Sequence, residues 1–239
     1  MIDRYYKQLL CVLERIKDTQ REKIDIASRM VADVIKADGI IYVFGCGHSH
    51  LIGLDCFYRA GGLANVSAML DTDLMLHNGA AKSSVMEKMP GISQSILDRY
   101  CITERDLLFV ISTSGKNAVP VEMAQAASAK GIKNIAVVSS AYFSDKKDAP
   151  MLWECSDLYI DNCVPHGDAV MEITGSKANM GSVSTVASSF ILQSVLMEGA
   201  ELAGREGARV PVYMSGNVDG GAEFNKALIA EYLPRIKHL

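Results

Sequence analysis

Three hydroxyls, a glycine, an ammonium and an amide occur in succession at Ser112-Thr113-Ser114-Gly115-Lys116-Asn117. They follow a short branched apolar run, Leu107 to Ile111, and precede a segment of helical character with Pro120 near its start. The run is too short for a helix and reads as a buried parallel strand. Proline is tolerated in a first helical turn because an amide there has no intrahelical acceptor. Strand, loop and helix in that order set free backbone amides and the positive end of a helix dipole beside the hydroxyls, and the guest such a turn suits is a phosphate. Asn117 can cap the helix or turn its side chain to a ligand. The competing reading is a Ser-rich turn that only caps the helix. Lys130-Gly131, a cation and glycine stop, closes the unit before a strand from Ile135 to Val138.

A turn of the same kind lies earlier. Gly39 to Phe44 reads as the first strand and runs into Gly45-Cys46-Gly47-His48-Ser49-His50, then a helix from about Leu51 to Ala60. Glycines such as Gly47 let backbone approach a bound group, and Ser49 can donate a hydroxyl. The spacing fits neither GxGxxG, which needs glycine where His50 stands, nor GxxxxGK[ST], so NAD and ATP are disfavoured. His48 and His50 are two apart and share no face at a helix start, which favours capping or ligand-facing roles over paired metal ligation. Cys46 reads as a small residue buried in a tight turn rather than a nucleophile. A third hydroxyl-rich start, Gly181-Ser182-Val183-Ser184-Thr185, opens a long helix predicted from about Met180 to Leu202. Its inward side is read as Val183, Ala187, Phe190, Ile191, Ser194 and Met197.

Groups able to move protons stand between these turns. After a second strand, Ala64 to Leu70, the connection from Asp71 to Arg105 is longer than a minimal crossover and carries His77 and Glu87 before a helix at about Ile92 to Tyr100. Long connections at the carboxyl end of a parallel sheet often serve as lids, which makes His77 and Glu87 candidates for acid and base work as well as for solvated loop positions. A fifth strand, Leu158 to Cys163, leads into Val164-Pro165-His166-Gly167-Asp168 and then Glu172.

The elements around these residues define an α/β chain. Apolar residues from Ile2 to Ala37 recur at helical spacing and predict two helices with a polar break from Lys17 to Lys23. With 239 residues, one large domain suffices: an N-terminal helical pair over 1–38, a sheet core over 39–202 and a C-terminal extension over 203–239, whose last helix ends near Tyr232. The net charge of -4, with 24 Lys and Arg against 28 Asp and Glu, offers no basic excess for nucleic acid. No apolar run approaches the roughly 20 residues of a membrane helix and the start lacks a signal peptide, so a cytoplasmic protein is expected. The six cysteines form no CxxC pair and sit mostly in apolar stretches, predicting reduced thiols and no structural zinc.

Taken in order, the GCGHS turn, the STSGKN loop, the VVSS strand end and the GSVST helix start resemble the SIS (sugar isomerase) domain family. The segments FGCGHSHLIG, FYRAGGL, VPHGDAV and GSVST are similar to its UPF0309 branch. The resemblance covers about Gly39 to Leu202. It implies a doubly wound five-stranded parallel sheet, phosphosugar binding at the carboxyl ends of the strands and a homodimer or homotetramer with sites near the interface, with no metal or organic cofactor. By position, Gly47, His48 and Ser49 of the first turn and Ser112, Thr113, Ser114 and Asn117 of the second would hold the phosphate or the sugar hydroxyls. Ser184 and Thr185 match a later ligand-facing pair. The family includes aldose-ketose isomerases, in which a glutamate shuttles a proton through an enediol and a histidine helps open the ring, as well as an aminosugar phosphate etherase and phosphosugar sensors. Phosphoheptose isomerases carry a glutamate on the helix after the first turn, where this chain has Arg59 nearby. The expected replacement base is Glu87, partnered by His77 or His166, with Glu172 second. Sensors of the family usually carry a DNA-binding domain, for which the residues before Gly39 are too few.

Overall fold

Each apolar run bounded by glycine or polar residues becomes a strand. In the computed structural model, which describes residues 1–146 and 148–239, these are β1 (Ile41–Gly45), β2 (Val66–Met69), β3 (Leu107–Ile111), β4 (Lys133–Val138) and β5 (Leu158–Asp161). They pair in parallel in the order β2-β1-β3-β4-β5, with Ile41 level with Val66 on one side and with Leu107 on the other. Every residue of β1 and β3 is buried, as a sheet covered on both faces requires.

The covering layers follow from the alternation along the strands. Ile41, Val43, Phe109 and Ile111 face one core with helices α1 (Ile2–Thr19), α2 (Arg21–Lys36), α3 (His50–Cys56) and α7 (Ser184–Arg205). Tyr42, Phe44, Leu108 and Val110 face the other with α5 (Ser93–Leu97), α6 (Ala118–Ala129) and α8 (Gly221–Tyr232). A short helix, α4 (Ala80–Met86), lies in the connection from β2 to β3. The last segment belongs to the second core, since Leu228, Tyr232 and Ile236 are buried there.

The N-terminal helices are two, as their periodicity predicts, but the break between them is Gln20 alone. Buried Gln20 accepts the Asp161 amide at 3.0 Å through its side-chain carbonyl, which ties the helical pair to β5. Gly199 in α7 explains how closely that helix packs on α2: a Cβ there would lie 2.5 Å from Val31 Cγ1 and 2.8 Å from the Ser28 carbonyl oxygen.

Two expectations need correction. The long helix begins at Ser184 instead of Met180, because Met180–Ser182 form strand β7, paired antiparallel with β6 (Ala169–Met171). On α7, Ala187 and Ile191 are buried, but Phe190 is 37% and Met197 62% exposed. Those two lie beside the covered stripe of Ser188, Leu192, Val195 and Leu196. The cysteines are all free thiols, yet Cys11 and Cys101 are exposed while Cys46, Cys56 and Cys163 are buried.

Candidate active site

The strand order fixes where a ligand crevice must open. Chain connections leave β1 toward β2 and β3 toward β4, so they diverge between the carboxyl ends of β1 and β3. That divergence is the switch point at which open parallel sheets bind ligands. The two hydroxyl-bearing turns are the continuations of these two strands.

After β1, Gly45 is folded so tightly that a Cβ would stand 2.6 Å from the Ser49 carbonyl carbon. Gly47 to Ser49 make one 3-10 turn, in which Gly47 and Ser49 are half-buried and His48 is exposed. His50 points inward: Nδ1 donates to the Gly47 carbonyl and the ring meets His77 edge-on, with centroids 5.9 Å apart. Burial pushes its pKa down, so His50 is a neutral strut for the turn. The Cys46 thiol is pushed up by burial and, second, by the charge of Glu87, which keeps it protonated.

After β3, the loop is anchored to the sheet, and two of its three hydroxyls are held by internal hydrogen bonds. The Ser112 amide donates to the Val137 carbonyl at 3.0 Å, and the Ser139 amide to the Thr113 carbonyl at 2.8 Å. The Gly115 amide donates to Ser112 Oγ at 3.3 Å. Thr113 Oγ1 accepts from buried Asn162 Nδ2 at 3.3 Å, and the same amide reaches Ser188 of α7 at 3.2 Å. Ser112, Thr113, Ser114 and Asn117 are all half-buried. Asn117 is extended at the start of α6, and its side chain makes no capping bond.

The long connection returns to this loop. Glu87 follows α4, and its main-chain carbonyl accepts the Val119 amide at 3.1 Å in the first turn of α6. Burial pushes the Glu87 carboxyl above the ordinary carboxylate range, against smaller opposing pulls from Lys88 and the Asn117 side-chain amide. The Glu87–Val119 main-chain bond sets Glu87 beside the start of α6, two residues past Asn117 of the second turn. His77 is exposed on a 3-10 turn beside His50.

His166 stands on the other flank of the loop. Its ring stacks on Tyr142 at 4.4 Å, and Nε2 lies 3.3 Å from Asp145 Oδ2. The same oxygen accepts from Lys116 Nζ at 2.8 Å. Lys116 of the loop is thereby tied to the carboxylate that holds His166.

The other sequence candidates lie apart from this cluster. Glu172 is exposed just beyond β6, with no hydrogen bond to the cluster among the described residues. Ser184 does start α7, but that helix end is already occupied by an internal anion. Asp168 Oδ1 accepts the Val183 and Ser184 amides at 2.9 and 2.8 Å, and Oδ2 accepts Ser184 Oγ at 2.7 Å. Thr185 is half-buried in the same turn. Arg59 lies beyond α3, exposed and paired with Asp55. Asn162, Asp168 and Asp145 were missed by sequence reasoning; only Asn162, the residue after β5, carried a positional signal, while Asp145 and Asp168 lie well inside the loops after β4 and β5. Among the described residues no group of His, Cys, Asp and Glu is arranged to hold a metal, and no helix is long and apolar enough to cross a membrane.

A five-stranded parallel sheet with this switch point and two such turns is the frame of a sugar isomerase domain, and residues 4–139 match the SIS domain model. The chain belongs to the SIS domain family. Within it the chain falls in the UPF0309 group. A UPF0309 protein of Caldanaerobacter subterraneus is 39% identical over 246 residues, covering all of both chains. One from Geobacillus thermodenitrificans is 38% identical over 240 residues, 99% of this chain and 96% of that protein. Among solved structures, phosphoheptose isomerases from Francisella tularensis and Neisseria gonorrhoeae share the fold, with TM-scores of 0.54 and 0.51 at 13% and 15% identity. They cover 84% and 82% of this chain and 96% of each of theirs.

Proposed function

We propose that this chain is a sugar-phosphate isomerase. The phosphate sits in the 112–117 loop against the start of α6, helped by the Ser49 turn, and Glu87 moves a proton between neighbouring sugar carbons through an enediol. The observation that carries the reading is the place of Glu87: its main-chain carbonyl takes the Val119 amide in the first turn of α6, next to the 112–117 loop, and burial raises the pKa of its carboxyl. A carboxylate with raised pKa is a better base toward a carbon acid. His166 is the partner that opens the ring, and His77 is the alternative on the His50 side. The fold shared with phosphoheptose isomerases supports the same reaction class. The exposed Phe190 and Met197 on α7 support a homo-oligomer.

A second reading, phosphosugar sensing without turnover, is favoured by α3, the helix after the first turn, which carries no glutamate. It is also supported by a Vibrio vulnificus NanR protein complexed with ManNAc-6P, which matches 99% of this chain at TM-score 0.50 and 13% identity. NMR of the protein with aldose, ketose and N-acetylated hexosamine phosphates in heavy water separates the two. Interconversion with deuterium entering the carbon beside the carbonyl supports the isomerase. Ligand line broadening with no exchange for any sugar supports the sensor.

A further inference from the structure

One carboxylate oxygen meets two basic side chains at the edge of the 112–117 loop. Asp145 Oδ2 takes Lys116 Nζ at 2.8 Å and His166 Nε2 at 3.3 Å. Lys116 is inside the loop that faces the switch point, whereas His166 is held from outside it, on the segment after β5. Tyr142 fixes the histidine twice, by stacking on the ring with planes 28° apart and by accepting the Gly167 amide on its hydroxyl at 2.8 Å. Among the described residues nearby, Lys146 is engaged with Glu154, and Asp168 with the start of α7.

We propose that Asp145 is a positioning residue that couples occupation of the 112–117 loop to protonation of His166. The inference rests on the loop being the phosphate site. Of the two, Lys116 holds the shorter contact and acts most strongly on the Asp145 charge. A doubly charged phosphoryl group in the loop attracts the ammonium more strongly than a single carboxylate does, and Lys116 turns to it. Asp145 is then left to His166 alone, and a carboxylate beside an imidazole favours its charged form. A proton from solvent settles on the ring, so the acid needed for ring opening is armed when a phosphorylated sugar arrives. An unphosphorylated sugar would lose turnover as well as affinity, because it leaves Lys116 on Asp145.

The test uses sulfate, a dianion across the working pH range, with the full chain labelled for NMR and the His166 resonance assigned through His166→Gln. Amide shifts at 112–118 report whether sulfate enters the loop, and the His166 ring proton reports its titration midpoint. Sulfate should shift those amides and raise the midpoint by about 0.5 pH unit, the size expected for an exposed ion pair. In Asp145→Asn the amide shifts should remain and the midpoint should stay still. In Lys116→Gln the midpoint should be raised before sulfate is added. Sulfate in the loop with an unmoved His166, or an equal rise in Asp145→Asn, overturns the coupling while leaving the phosphate site standing. Sulfate that fails to shift residues 112–118 overturns both.

Discussion

The main-chain carbonyl of Glu87 accepts the amide of Val119 at 3.1 Å, so the connection carrying the candidate base is fastened to the first turn of the helix that opens on the anion loop. The candidate base and the candidate phosphate loop, which lie on different connections of the chain, are thereby tied together through the main chain.

Replacing Glu87 by Gln keeps the shape and removes the base. Isomerisation should fall by about 10²–10⁴-fold with sugar-phosphate affinity largely kept. In the parent protein kcat/KM should fall on acidification at a pH above the ordinary carboxylate range, since burial raises the Glu87 pKa and the base must be ionised. Full activity in the variant would remove Glu87 from the mechanism.

The same carboxyl also makes a stability prediction. A folded-state pKa raised above the unfolded value favours the fold below the unfolded pKa, and that advantage is lost as pH rises through the folded value. At pH 7 Glu87 is therefore ionised at a cost, and Glu87→Gln should melt higher than the parent. The difference should shrink as the pH is lowered below the ordinary carboxylate range. A Tm gain that is independent of pH would contradict the assigned cause.

Ser114 offers a charge test of the loop. Ser114→Asp places a carboxylate among groups arranged for an anion and should weaken sugar-phosphate binding at least about tenfold, worth roughly 1.4 kcal/mol or more. Calorimetric titration measures this, and thermal melting should show the fold intact. Unchanged affinity would move the phosphate elsewhere.

At the start of α7, Asp168 accepts three hydrogen bonds from Val183 and Ser184 while holding a left-handed backbone with φ of 64°. Asp168→Ala should cost about 1–2 kcal/mol in urea denaturation, the usual loss for a cap. Asp168→Asn should cost less, because asparagine tolerates that backbone and keeps one acceptor oxygen.

On the opposite side of α7, Gly199→Ala improves helix propensity by about 1 kcal/mol but drives a methyl into Val31 and the Ser28 carbonyl. Overpacking at about 1–3 kcal/mol should win, giving net destabilisation. A more stable variant would mean that α2 and α7 separate more easily than their contact suggests.

The strands were legible because a parallel sheet covered on both faces writes itself as short apolar runs such as Leu107 to Ile111, each ended by a turn. Strand β7 was not, since Met180-Gly181-Ser182 is extended only through its pairing with Ala169 and Met171, and local composition carries no trace of a partner nine or more residues away. Periodicity located the helix α7 but not which stripe is covered, which is why Phe190 and Met197 were read as inward. The hydroxyl-rich start at Ser184 looked like an anion site because sequence does not reveal that Asp168 supplies the anion. The nearness of Glu87 to Asn117 is likewise a product of how the long connection folds back; the residues were visible as candidates, but their meeting was not.

The most direct measurement maps amide shifts of the labelled protein on adding inorganic phosphate and a mixture of hexose 6-phosphates, beside the same hexoses unphosphorylated. The account predicts shifts centred on 112–118 and 46–50 for the phosphorylated ligands and none for the free sugars at equal concentration. Shifts centred on any other part of the surface, or an equal response to both sets of sugars, would contradict a phosphosugar site at the β1–β3 switch point.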